Sequence, residues 1–110
     1  MKTLKFKFHL VNQILSGSKT VTWRLFDDKD LKVGDELDFV NADSVESFGG
    51  AVILETYEKK LGEISDEDFI FSNYKKETPE ELLNHYRNIY GDKVDWDTMV
   101  KVVKFKLLNE

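Results

Sequence analysis

The segment Gly17-Ser18-Lys19-Thr20-Val21-Thr22-Trp23-Arg24 places an amine, a hydroxyl and a guanidinium close together in the chain. A threonine hydroxyl such as that of Thr22 is a weak nucleophile and needs a neighbouring base to take its proton. Lys19 can be that base only if burial or a nearby positive charge, such as Arg24, lowers its pKa well below about 10.4. The segment therefore predicts a ligand-binding cleft or a nucleophilic site, with the polar outer face of a strand as the alternative.

The elements around this segment decide whether its side chains can meet. Apolar residues at helical spacing over 10–15, followed by Gly17, predict a short helix that ends just before it. The alternation over 19–25 predicts a strand with Val21 and Trp23 on one face and Thr22 and Arg24 on the other. In an ideal strand Lys19 and Thr22 point to opposite faces. They can meet only if Lys19 precedes the strand proper.

The remaining pattern predicts an α+β domain covering residues 1–110, in the order β-α-β-β-β-α-α-β. Its sheet is expected to be mixed or mostly antiparallel and to curl toward a small barrel. Alternation and turn residues predict strands over Lys2–Phe8, Glu36–Val40, Phe48–Glu58 and Met99–Leu108. The third of these is expected to bend, with a bulge or a close backbone approach at Gly49-Gly50. Helix caps predict helices that begin near Ser65–Asp68 and at Thr78-Pro79, and the second of these helices is expected to end near Gly91.

Composition narrows the classes of function. The chain has 110 residues, no cysteine and a formal net charge of −5. It lacks the basic excess of a general nucleic-acid binder, so a small or neutral ligand fits better. The two histidines, His9 and His85, are far apart, and we expect no metal and no cofactor. Nothing is long and apolar enough to span a membrane. We expect a cytoplasmic protein and favour a monomer.

With Val33-Gly34-Asp35 and the closing strand Lys104-Phe105-Lys106-Leu107, the segment Gly17–Arg24 resembles the ASCH domain, a relative of the PUA fold. The resemblance implies a small β pseudo-barrel with surrounding helices. It also implies a cleft near the helix–strand junction that binds RNA or nucleosides.

One bacterial branch of the ASCH domains hydrolyses N4-acetylcytidine to cytidine and acetate. By resemblance to this branch, Lys19 would be the general base and Thr22 the nucleophile. The branch also uses a glutamate from the region before the last helix. Here Asn73 or Lys75 falls nearest that position, and Glu77 is the closest glutamate.

Two main hypotheses of function stay open, together with a third, metal-assisted RNA cleavage. The first is recognition of a nucleoside or a short RNA element in a cleft lined by Lys19, Thr22 and Arg24, and the second is an N4-acetylcytidine amidohydrolase. The ligand-binding candidates are Thr20, Trp23, Arg24 and Asn73, with Phe26 or Tyr74 as further stacking rings, and the catalytic candidates are Lys19, Thr22 and Glu77.

Structural alternatives accompany these assignments. Trp23 can be a core residue, and Arg24 can pair with Asp27, Asp28 or Asp30. The acidic run 66–68 is more typical of a first helical turn than of a metal site.

Overall fold

The computed structural model describes residues 1–27 and 29–108. The elements follow one another as β1 (Lys2–Phe6), α1 (Phe8–Leu15), β2 (Val21–Leu25), β3 (Glu36–Asn41), β4 (Ser47–Lys60), two short 3₁₀ turns (Leu61–Glu63 and Asp66–Phe69), α2 (Pro79–Tyr90) and β5 (Met99–Leu107). This order confirms the predicted α+β class. In the described part of the chain, no helix has the length and apolar character needed to cross a membrane.

The five strands form one mixed sheet in the order β1-β3-β4-β5-β2. β1 pairs in parallel with β3, whereas the β3–β4, β4–β5 and β2–β5 pairs are antiparallel. The sheet curls into a half-barrel, and its two edge strands come together where Arg24 Nη2 of β2 donates to the Lys5 carbonyl of β1 at 3.2 Å. Of the candidate residues, Arg24 lies at the junction between these two edges.

Two apolar clusters hold the fold, one inside the curl and one beneath α2. The first is rich in phenylalanine and packs Phe6, Phe39 and Phe105 with ring centroids 4.8–4.9 Å apart. The second contains Trp23 together with the apolar face of α2. Each fully buried large apolar side chain contributes about 1.5–3 kcal/mol. The second cluster also contains Val21 and Leu25, so it fixes the apolar face of β2, the strand that carries Thr22 and Arg24.

The predicted signals at the ends of α2 are confirmed. Thr78 accepts a hydrogen bond from the Glu81 amide at 3.2 Å, and Glu81 accepts one from the Thr78 amide at 2.9 Å. This reciprocal pair satisfies two amides that the helix itself cannot pair. Pro79 opens the helix, and Gly91, with φ of +85°, ends it.

Three details differ from the sequence-based expectations. Phe8 does not continue the first strand: it begins α1 and is 65% exposed. The acidic segment forms a single 3₁₀ turn instead of an α-helix. The long strand is confirmed over Ser47–Lys60, but its register shifts fall at Phe48 and at Leu54 instead of at the glycine pair.

Candidate functional site

Lys19 lies in the turn between α1 and β2, before the strand begins at Val21. Its amide donates to the Gln13 carbonyl at 3.1 Å, which turns the chain back toward the helix. The side chain is fully buried, and its ammonium donates to the Val21 and Ser72 carbonyls, both at 2.7 Å. The Lys19 Nζ also lies 4.0 Å from the centroid of the Tyr74 ring.

This environment lowers the pKa of Lys19 from 10.5 to about 7. Burial is the larger cause, because it removes the charged amine from water. The positive charge of Arg24 acts in the same direction. The pKa of Lys19 is thus well below its ordinary value, as the role of a base for Thr22 requires.

Thr22 and Lys19 meet at the same residue, Tyr74. The Thr22 side chain is buried, and its Oγ1 lies 3.1 Å from the Tyr74 hydroxyl. The Trp23 amide donates to the same hydroxyl at 3.3 Å, and in the Thr22–Tyr74 hydrogen bond either hydroxyl can be the donor. Lys19 precedes the strand, which begins at Val21, so both side chains reach Tyr74: Lys19 contacts its ring and Thr22 contacts its hydroxyl.

Arg24 follows Thr22 by two residues and therefore lies on the same face of β2. Its guanidinium lies 4.9 Å from the Phe6 ring centroid. Its Nε is buried and has no hydrogen-bond partner among the described residues. Burial lowers the pKa of Arg24, although the nearby Tyr74 and Asp27 among others oppose the shift. Arg24 is thus a cation held in the protein with an unused donor.

The expected ion pairs of Arg24 do not form with Asp27 or Asp30. Asp27 pairs with Lys101 at 2.9 Å, and Asp30 pairs with Lys32 at 3.0 Å. Asp28 lies outside the described residues. Among the described residues, the guanidinium donates through Nη2 to the Lys5 carbonyl, and its Nε has no partner.

Arg24 lines a cavity of about 340 Å³ at the edge junction. Its wall combines one aromatic ring, three carboxylates, a thioether and an amine: Phe26, Asp27, Asp30, Glu58, Met99 and Lys101. This volume is at the lower end of the range for small-molecule sites. The cavity can therefore hold a ligand of about the size of one nucleoside.

The other predicted site residues are placed elsewhere. Trp23 is only 5% exposed and donates through its indole to the Asp68 carbonyl at 3.2 Å, so it is a core residue and lines neither the Arg24 cavity nor its rim. Thr20 pairs through its main chain with Phe71. Asn73 Nδ2 donates to Ser18 Oγ at 2.9 Å and braces the end of α1.

Among the described residues, no carboxylate is hydrogen bonded to Lys19 or Thr22. Glu77, the candidate glutamate, has its carboxylate 3.5 Å from His85 Nδ1 instead. From the segment 71–77, the residue that contacts the pair is Tyr74. Sequence reasoning listed Tyr74 only as a stacking ring, because nothing in local spacing links it to a strand about 50 residues earlier.

The acidic turn serves the fold. Asp68 is buried, and it accepts hydrogen bonds from Tyr57 at 2.7 Å, from Lys59 at 2.9 Å and from the Ser65 amide at 2.9 Å. Burial alone would raise the pKa of Asp68, but these donors outweigh it and the pKa is lowered. Within residues 1–27 and 29–108, no group of three histidine or acidic side chains is placed to hold a metal.

Comparison with known proteins identifies the fold. No sequence model of a protein family matches the chain, and no curated protein does. Solved structures do match, and several of them are ASCH domains. The one from Lactobacillus crispatus has a TM-score of 0.71 at 14% identity, covering 96% of this chain and 79% of its own.

The ASCH structure from Zymomonas mobilis has a TM-score of 0.67 at 11% identity, over 94% of this chain and 65% of its own. A protein from Pyrococcus furiosus solved by NMR has a TM-score of 0.64 at 16% identity, covering 99% and 98%. The chain thus has the ASCH-domain fold, which confirms the predicted PUA-like half-barrel.

Proposed function

We propose that the cavity beside Arg24 binds the base and sugar of a nucleoside, either free or within a short RNA. The observation that carries the proposal is the Nε of Arg24, which is buried without a partner. This Nε has no surface open to solvent, so the Arg24 side chain must turn toward the cavity before a ligand acceptor can reach it. The new hydrogen bond would then recover the roughly 1–3 kcal/mol that an unsatisfied buried donor costs. The ASCH fold supports the same class of ligand by resemblance.

The chemistry of the wall suits a neutral nucleoside. Phe26 offers a ring for stacking, and Arg24 can donate to the carbonyl and ring-nitrogen acceptors of a pyrimidine. Asp30 and Glu58 can accept from an exocyclic amine or from ribose hydroxyls. Since three carboxylates line the cavity against two cations, a phosphate inside it would be repelled.

The test is calorimetric titration with a panel of ribonucleosides, including cytidine and N4-acetylcytidine. Arg24→Met keeps the apolar stem over Phe6 and removes every donor, so we expect at least a tenfold loss of affinity. Arg87→Met is the matched control, because Arg87 donates to the Val94 carbonyl and does not line the cavity. Equal affinity of wild type and Arg24→Met would refute the proposal.

A second candidate function is hydrolysis of N4-acetylcytidine, with Thr22 as nucleophile and Lys19 as base. The observation in its favour is the pKa of Lys19, lowered to about 7. In this reaction the Thr22 oxygen would bond to the acetyl carbon, cytidine would leave with a proton on N4, and water would release acetate. Lys19 would take the hydroxyl proton and return it to the leaving nitrogen.

The hydrolysis hypothesis has its own test. Incubation of the pure protein with N4-acetylcytidine, followed by mass spectrometry, should show loss of the acetyl group. Thr22→Val has nearly the same shape without the hydroxyl and should abolish the turnover. Binding of N4-acetylcytidine with no turnover in wild type would leave the binding function alone.

A further inference from the structure

A row of aromatic rings continues from the cavity onto α2. Phe26, at the cavity wall, packs edge to face against Tyr90 with ring centroids 5.3 Å apart, and Tyr90 stacks with Tyr86 at 6.5 Å. The Lys93 amine lies 4.4 Å from the Phe26 ring centroid and 5.9 Å from that of Tyr90. We call Phe26, Tyr90 and Lys93 the aromatic surface.

Part of each ring of this surface is open to solvent. Phe26 is 43% exposed and Tyr90 is 40% exposed, so their rings keep area for a further contact. Lys93 is exposed, and in the described part of the chain it forms no ion pair with a carboxylate. The surface therefore offers apolar ring area and a positive charge side by side.

The backbone holds Phe26 in an uncommon conformation. Its φ is +54°, in the left-handed region that bulky residues rarely adopt. Such strain persists only where the surroundings enforce it, and it is concentrated at functional sites. Phe26 belongs both to the cavity wall and to the aromatic surface, so it joins the two.

Resting on the function proposed above, we infer that the aromatic surface is a second base-stacking subsite and that the ligand spans at least two nucleotides of single-stranded RNA. One base occupies the cavity beside Arg24. Its neighbour stacks on the exposed ring of Tyr90, and Lys93 contacts the phosphate between them. Aromatic rings stack on any base, so this subsite adds affinity with little sequence preference.

The charge of the protein sets the length of this ligand. At a net charge of −5, the chain does not favour a long polyanion. A dinucleotide carries a single bridging phosphate, and one lysine is enough to neutralise it. The carboxylates of the cavity keep this phosphate outside, on the side of Lys93.

The experiment compares each ribonucleoside with its homodinucleotide, for example cytidine with cytidylyl-cytidine. Wild type should bind the dinucleotide of the preferred base about tenfold more tightly than the nucleoside. Tyr90→Ala and Lys93→Met should each bring that ratio close to one while leaving nucleoside affinity unchanged. Ile89→Ala is the control, because Ile89 is 58% exposed beside Tyr90 and should keep the ratio.

The outcomes separate this inference from the function on which it rests. Equal affinity for nucleoside and dinucleotide overturns the second subsite but keeps nucleoside binding. A preference for the dinucleotide that survives Lys93→Met and Tyr90→Ala overturns the aromatic surface as its cause. If neither ligand binds, the proposed function fails and the inference fails with it. Lys93→Met removes an exposed side chain, so its result stands even if Tyr90→Ala fails to fold.

Discussion

Replacing Lys19 with methionine should change how the stability of the protein depends on pH. Lys19 has a pKa of about 7 in the folded protein and an ordinary value of 10.5 when exposed. Between these two values the unfolded chain binds a proton at this residue that the folded protein does not bind. The free energy of unfolding of wild type must therefore rise as pH increases through this window. Methionine cannot titrate, so Lys19→Met lacks this contribution.

The magnitude follows from the shift of the pKa. Each unit corresponds to about 1.4 kcal/mol, so the full shift of Lys19 penalises the folded state by about 5 kcal/mol below pH 7. From about pH 6 to about pH 9, the unfolding free energy of wild type should gain about 3 kcal/mol relative to Lys19→Met.

Urea denaturation followed by tryptophan fluorescence measures this difference. Trp23 is a suitable reporter, because it is buried with its ring centroid 5.0 Å from that of Tyr74. Lys106→Met replaces an exposed lysine of β5 and is the matched control, which should run parallel to wild type. If the wild-type and Lys19→Met profiles also run parallel, the amine of Lys19 is not destabilised by burial and the reasoning fails.

Three further changes have defined outcomes. Tyr74→Phe removes the hydroxyl that is hydrogen-bonded to Thr22 and to the main chain of β2. It should lower the free energy of unfolding, measured by urea denaturation, by about 1–3 kcal/mol, whereas Tyr90→Phe should change it little. Asp68→Asn should lower the free energy of unfolding by about 2 kcal/mol at neutral pH. Because folding lowers the pKa of Asp68, the difference between wild type and Asp68→Asn should shrink as pH falls below about 4. A difference that does not change with pH would contradict this role of the Asp68 carboxylate. Thr78→Ala should lower the unfolding free energy by about 1 kcal/mol while Thr78→Ser keeps it, and equal losses would mean that the cap is not the cause.

The elements that local signals define were predictable from the sequence. The cap at Thr78, the proline after it and Gly91 fix both ends of α2, because each acts on neighbouring backbone groups. The strand at β2 was also predictable, since alternation over 21–25 gives one apolar face. Phe8 was assigned wrongly because its apolar side chain continues the alternation of β1, whereas the chain turns into a helix there and leaves it exposed.

The contacts of the site were not predictable from spacing. The burial of Lys19 depends on the Ser72 carbonyl and the Tyr74 ring, which tertiary folding brings from more than 50 residues away. The ion pair of Asp27 was not predictable either: Asp27 was expected to pair with Arg24, but it pairs with Lys101 of β5, which lies far away in the sequence. Which of several nearby charges pair is decided by the register of β2 on β5, and the sequence does not encode that register locally.

The position of Tyr74 favours binding over hydrolysis for the site as it stands. When the Lys19 amine is neutral, its two N–H groups are used by the Val21 and Ser72 carbonyls. Its lone pair is then left to face the Tyr74 ring, which is 4.0 Å away and repels a lone pair while it attracts an ammonium. A base directed at Thr22 thus requires the Tyr74 ring to move, and the Thr22 hydroxyl must first exchange its bond to Tyr74. Binding beside Arg24 requires neither step.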